Sequence, residues 1–285
     1  MSSTEAGPRS QEPTGLPLQR SFAGLAADSE GAADQRPPLV LLHGMSFDRT
    51  MWRPALSYLR SIDPGRRVLA LDLPGHGESP WRPSHRLEAV VQAVHEAVAD
   101  AQLDAPIMVG HSFSGLLATV YAAQHPTRGV INVDQSLRVA PFLQLVQSLA
   151  DQLRGRGFRA VWAMFEADLH VELLPEGVQD FVRATNRPRQ DLILSYWQEI
   201  FERPLPELSE WLASQVLACR ATGVPYWLIL GDELQPGYRE WLRRALPHAT
   251  VKAWPRSSHF PHLAHPDRFA ECLAATATWP AGLPS

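Results

Sequence analysis

Ser112 stands in Val109-Gly110-His111-Ser112-Phe113-Ser114-Gly115, between an apolar run (Pro106-Ile107-Met108-Val109) and a helix-like run (Leu116 to Ala123). A serine at such a sharp strand-to-helix turn is held exposed, with its hydroxyl pointing away from the sheet. The turn needs small residues two before and two after the serine, because the backbone crowds itself there. Gly110 and Ser114 fill those places; glycine is usual at the second, and here Gly115 comes one residue late. A serine hydroxyl is a poor nucleophile at neutral pH and needs an adjacent base. His259, in Arg256-Ser257-Ser258-His259-Phe260-Pro261-His262-Leu263, can supply one. The chemistry these residues could do is attack on a carbonyl, with the hydroxyl proton passed to an imidazole.

The residues must be positioned by strands. Leu39 to Leu42, Val68 to Asp72, Ile107 to Val109, Val130 to Val133, Tyr226 to Leu230 and Val251 to Trp254 are short apolar runs, of the kind buried on both faces of a parallel sheet. Helix-like segments separate several of them: Trp52 to Arg60, Leu87 to Ala101, Phe113 to Gln124 and Gly237 to Leu246. The alternation predicts an α/β fold, a mostly parallel doubly wound sheet with right-handed crossovers. In such sheets ligands bind at the carboxyl ends of the strands. His43-Gly44-Met45, Ser112 and His259 all follow strands. Residues 140–215 break the alternation, with aromatic and aliphatic residues mostly at helical spacing (Phe142, Leu145, Trp162, Phe165, Trp197, Trp211). We read them as an inserted helical cap that packs on the sheet domain and turns a few side chains into a pocket. Residues 38–139 and 216–285 are then the core. Residues 1–37, rich in Ser, Gly, Pro and Ala, read as a flexible tail with a possible edge strand around Leu18 to Ala26.

Composition narrows the partners. The chain has 285 residues, 45% hydrophobic and 20% charged, with a formal net charge of -4. That balance suits a globular protein and leaves no electrostatic footprint for nucleic acid or an anionic membrane. No apolar run has the roughly 18 residues of a spanning helix. The N-terminus lacks a basic stretch followed by an apolar one, so no secretory signal is expected. Cys219 and Cys272 read as buried thiols in a reducing, cytoplasmic setting. The expected partner is a small-molecule substrate; nothing in the sequence specifies an oligomeric state.

The segments His43-Gly44, Asp72-Leu73-Pro74-Gly75-His76-Gly77-Glu78-Ser79, Gly110-His111-Ser112-Phe113-Ser114-Gly115 and His259-Phe260-Pro261-His262-Leu263 together resemble the α/β-hydrolase superfamily. They occur in the family's order and span nearly the whole chain after the tail. The resemblance implies Ser112 as nucleophile and His259 as the base that later protonates the leaving group. It implies an oxyanion hole from the backbone N–H groups of Phe113, at a helix N-terminus, and Met45, after Gly44. His43, His76 and His111 read as loop-organising hydrogen bonders. His262 and His265 read as packing or capping: Pro261 and Pro266 disfavour a regular helix through them and His259, and no acid or thiol cluster completes a metal site. The acid departs from the family's commonest pattern. That pattern puts it three residues past Gly231, where this chain has Leu234, with Asp232 and Glu233 nearby. A less common arrangement, similar to certain lactone hydrolases and haloalkane dehalogenases, puts it after the preceding strand, at Asp134. We choose Asp134, with Asp232 as the alternative.

These residues imply a serine hydrolase acting on an ester, lactone or thioester of a small apolar substrate, without metal or organic cofactor. Carbon–carbon bond hydrolysis and cofactor-free perhydrolysis use the same triad and remain open. A non-catalytic ligand-binding protein on this fold is the reading from outside enzymology.

Overall fold

A computed structural model describes residues 18–280. Its centre is an eight-stranded sheet in the order β1-β2-β4-β3-β5-β6-β7-β8. The strands are β1 (Leu18–Phe22), β2 (Leu25–Glu30), β3 (Leu39–Leu42), β4 (Val68–Leu71), β5 (Ile107–His111), β6 (Gly129–Val133), β7 (Tyr226–Leu230) and β8 (Thr250–Ala253). From β4 to β8 every neighbour is parallel; β2 joins β4 antiparallel and β1 joins β2 antiparallel.

The apolar runs belong to strands buried on both faces. Val40 and Leu42 face one core with Leu69, Leu71 and Met108. Leu39 and Leu41 face the other with Val68, Ala70, Ile107 and Val109. Helices cover both sides. Those before the fourth parallel strand are α1 (Arg53–Ile62), α2 (Leu87–Asp100) and α3 (Phe113–Gln124). Between β6 and β7 lie α4 (Ala140–Ser148), α5 (Ala150–Arg154), α6 (Phe158–Ala167), α7 (Glu176–Thr185), α8 (Gln190–Tyr196), α9 (Gln198–Glu202) and α10 (Leu205–Ala221). After β7 come α11 (Pro236–Ala245), α12 (Pro261–Ala264) and α13 (Pro266–Ala275). On one face α2, α3 and α10 supply Val90, Leu117 and Leu212 to the core; on the other α1 and α13 supply Leu56 and Phe269.

Two boundaries differ from the sequence reading. Residues 18–30, read as tail with at most one edge strand, form a hairpin, and β2 lies inside the sheet. Phe22 pairs with Leu25 across a two-residue turn in which Ala23 and Gly24 both have positive φ (45° and 82°). This turn geometry matches the twist of the flanking strands. Leu25 and Ala27 then bury completely. The part of the expected tail before residue 18 lies outside the described residues. The helical stretch also runs past residue 215, because α10 continues to Ala221 and packs along α3.

The order of strands positions the site. After β3 the chain adds β4 on one side, then returns to add β5 on the other. The loops following β3 and β5 therefore diverge at a crevice above the carboxyl ends, where open α/β sheets bind ligands.

Candidate active site

Ser112 follows β5 directly and precedes α3. Its φ of 53° and ψ of -133° are costly for a residue with a side chain. The turn is held by Ser112 N–H donating to the Val133 carbonyl (2.8 Å) and Gly115 N–H donating to the Ser112 carbonyl (2.6 Å). A Cβ on Gly110 would lie 1.9 Å from the Ser114 carbonyl oxygen, so only glycine fits two residues before the serine. Ser114, the departure from glycine, is fully buried and its hydroxyl donates to the His43 carbonyl. The last residue of the Gly110–Ser114 turn thereby anchors the loop after β3.

That loop is tightly placed. A Cβ on Gly44 would lie 2.7 Å from His111 Nδ1. His43 Nδ1–H donates to the Gly44 carbonyl (2.8 Å), while its Nε2 accepts from Leu73 N–H (3.0 Å). Both ring nitrogens of this buried histidine are satisfied in the neutral form, and burial pushes its pKa down. Beneath the loop, buried Arg49 pairs with Asp28 (2.8 Å), Asp72 and Glu78. Asp72 Oδ1 also accepts from Arg49 N–H (2.7 Å) and Oδ2 from Glu78 N–H (2.8 Å). The Asp72-to-Ser79 segment is thus an ion-pair and hydrogen-bond foundation for the crevice, and Arg49 was not singled out in the sequence.

His259 and Asp134 come together. His259 Nδ1 lies 2.6 Å from Asp134 Oδ2, and each side chain is 19% exposed. Asp134 Oδ1 accepts from Gly231 N–H (2.8 Å). The carboxylate is presented by a left-handed backbone (φ 59°). Asn132 stabilises this bend: its Oδ1 accepts from Gln135 N–H (3.0 Å) and its Nδ2 donates to the Gln135 carbonyl (2.9 Å). Asp232, by contrast, is exposed and accepts from Glu233 N–H (2.8 Å). The His259 backbone is pinned on two sides: its carbonyl accepts from His111 Nε2–H (2.8 Å), and its N–H donates to the Leu169 carbonyl (3.3 Å). His262 packs on Trp52, with ring centroids 4.8 Å apart, and His265 on Trp254 (6.1 Å). His76 Nδ1 bonds the Pro74 carbonyl (3.2 Å).

Ser112, Asp134 and His259 share one cavity of about 430 Å³ with Met45 and Phe113. Met45 follows Gly44, and Phe113 opens α3, where the first N–H groups lack intrahelical acceptors. With Nδ1 engaged by Asp134, the other nitrogen of His259 is left for the cavity. The rest of the wall is largely apolar and comes from the segment between β6 and β7: Leu143, Trp162, Trp197, Ile200, Trp211 and Leu212 among others. Its glutamates, Glu166 and Glu199, were not foreseen. Glu199 is buried, and its Oε2 accepts from Leu87 N–H (3.0 Å) at the start of α2, where helix polarity favours a carboxylate. Tyr196 donates to the Pro74 carbonyl (2.8 Å). These contacts join distant segments and leave no local pattern in the sequence. Among the described residues, no helix is long and apolar enough to cross a membrane.

Comparison with known proteins agrees with this fold. The model of an alpha/beta hydrolase family matches residues 39–272. A probable alcohol acetyltransferase of Saccharomyces cerevisiae is 26% identical over 248 residues, covering 81% of this chain and 69% of the relative. A pimeloyl-[acyl-carrier protein] methyl ester esterase of Vibrio atlanticus is 29% identical over 261 residues, covering 85% and 95%. Among solved structures, a thermophilic esterase from Thermogutta terrifontis superposes with a TM-score of 0.69 at 22% identity, covering 92% of this chain and 100% of the other.

Proposed function

The chain belongs to the alpha/beta hydrolase family, and from that membership we propose that it is a serine hydrolase cleaving esters, lactones or thioesters of apolar acyl groups. The observation that carries this reading is the 2.6 Å contact between His259 and Asp134 on the wall of the cavity that also holds Ser112. Asp134 holds the imidazole with a proton on Nδ1, which leaves Nε2 free to take the Ser112 hydroxyl proton. Ser112 Oγ then attacks the carbonyl carbon. The oxygen that gains charge is received by the N–H groups of Met45 and Phe113. Collapse of the tetrahedral species expels the alcohol or thiol, protonated by His259, and leaves an acyl group on Ser112. Water, deprotonated by His259, reverses these steps and releases the acid. Residues 140–215 act as the cap whose apolar side chains receive the acyl group. That lining favours chains or rings over charged acyl groups, by burial of apolar surface.

The test is covalent. A fluorophosphonate probe should label the protein, and Ser112→Ala should abolish labelling. Hydrolysis of a series of p-nitrophenyl esters should follow the same loss. A protein that takes no label and turns over no ester, lactone or thioester while binding apolar ligands is a binder, and the catalytic reading fails.

A further inference from the structure

The loop carrying Met45 is fastened by the segment that follows α7. Phe47 N–H donates to the Gly44 carbonyl (3.2 Å), closing a turn with Met45 and Ser46 at its centre. Ser46 sits at the third position with a φ of 67°. That position takes a positive φ in a type II turn, at a cost for any residue but glycine or asparagine. Two bonds from the helical segment hold Ser46 there. Arg187 N–H donates to its carbonyl (2.7 Å), and its hydroxyl donates to Asn186 Oδ1. Asn186 ends α7, and Pro188 biases Arg187 towards an extended backbone, which takes the chain out of the helix as it reaches the loop. The chain of contacts continues across the cavity wall: Asn186 Nδ2 donates to Glu166 Oε1, which also accepts from Trp162 Nε1 (2.9 Å). Ser46, Glu166 and Trp162 all line the cavity.

We propose that Asn186 is a positioning residue which, through Ser46, sets the Met45 N–H for the transition state and couples it to the helical wall that receives the acyl group. The inference rests on the serine-hydrolase reading. Without the clasp, the turn relaxes towards a negative φ at Ser46 by rotation of the Met45–Ser46 peptide, and the backbone of Met45, with its N–H, shifts to accommodate it. A donor displaced by about 1 Å costs on the order of 10²-fold. The effect falls on the charged intermediate and leaves ground-state binding of the acyl group unchanged.

The test compares Asn186→Ala, Ser46→Ala and the double variant with the intact enzyme, using medium-chain p-nitrophenyl esters, fluorophosphonate labelling and a trifluoromethyl ketone that mimics the tetrahedral species. Each single variant should lower kcat about 10- to 100-fold with KM within about twofold. Labelling rate and ketone affinity should fall alongside kcat. The double variant should be no slower than the slower single, because both changes break one connection. Should Asn186→Ala fail to fold, Ser46→Ala alone carries the test, since it leaves the Asn186–Glu166 contact in place. Wild-type kcat in a folded variant overturns the proposal. So does a loss confined to KM or to the thermal midpoint, which would mean wall packing alone. Failure of the unmutated enzyme to label at Ser112 overturns the underlying hydrolase reading and the clasp with it, whereas normal labelling in all variants overturns the clasp only.

Discussion

Asp134 holds two partners at once: Oδ2 meets His259 Nδ1 at 2.6 Å, and Oδ1 accepts from Gly231 N–H at 2.8 Å. The second bond fixes the carboxylate plane, so the first can fix the plane and tautomer of the imidazole. An acid held on one oxygen only could rotate away from the ring.

Replacing Asp134 by Asn should therefore lower kcat by about 10³–10⁴, since the amide favours the wrong imidazole tautomer. Asp232→Asn should change kcat by less than about twofold, because that side chain is exposed and bonds its own neighbour. Steady-state kinetics on one ester decide between them, and exchanged results would move the acid to Asp232.

Gly110→Ala should destabilise the fold by at least about 1–3 kcal/mol, since the added methyl meets a backbone oxygen at 1.9 Å that cannot step aside. Urea unfolding measures the loss. A variant as stable as the parent would show that the turn before Ser112 is slacker than described.

Arg49→Met should cost about 3–5 kcal/mol, since it leaves the fully buried Asp72 carboxylate without its cation, while Asp28 keeps Arg53 (3.0 Å). Calorimetry or denaturant unfolding reads this directly. Glu78, more than half exposed, contributes little to that figure.

Stability should fall as the medium turns acidic, in part through buried histidines. Burial holds the His262 ring down to about 3, and pushes His111 and His76 well below the ordinary imidazole value. In the unfolded chain these rings take protons near pH 6.5, which the native state refuses. Their contribution is complete above pH 6.5 and shrinks as pH drops towards the folded values, by up to about 1.4 kcal/mol per pH unit for each ring. Neither His262 nitrogen has a hydrogen-bond partner among the described residues. His262→Phe should therefore flatten the fall in urea midpoint between pH 6.5 and 5 without lowering stability at pH 7.5. An unchanged slope would argue against a neutral buried ring.

The strand runs were legible because burial on both faces leaves a local mark: consecutive apolar residues such as Leu39 to Leu42, which all bury. The turn at Ser112 was legible for a similar reason, since crowding within five residues dictates glycine at 110. The hairpin at β1 and β2 was only half visible. Its place in the sheet depends on β2 pairing with β4, and Ala23 is not a residue that announces a left-handed turn.

The sequence by itself determined the elements, their alternation and the strained serine, because sterics and periodic burial act between near neighbours. Only the tertiary structure decided that His259 meets Asp134 and leaves Asp232 in solvent, that Arg49 gathers three carboxylates, and that Asn186 reaches Ser46. Those contacts join residues from about 20 to 140 positions apart. Their existence depends on strand order and on ångström-scale distances, which no local pattern of side chains encodes.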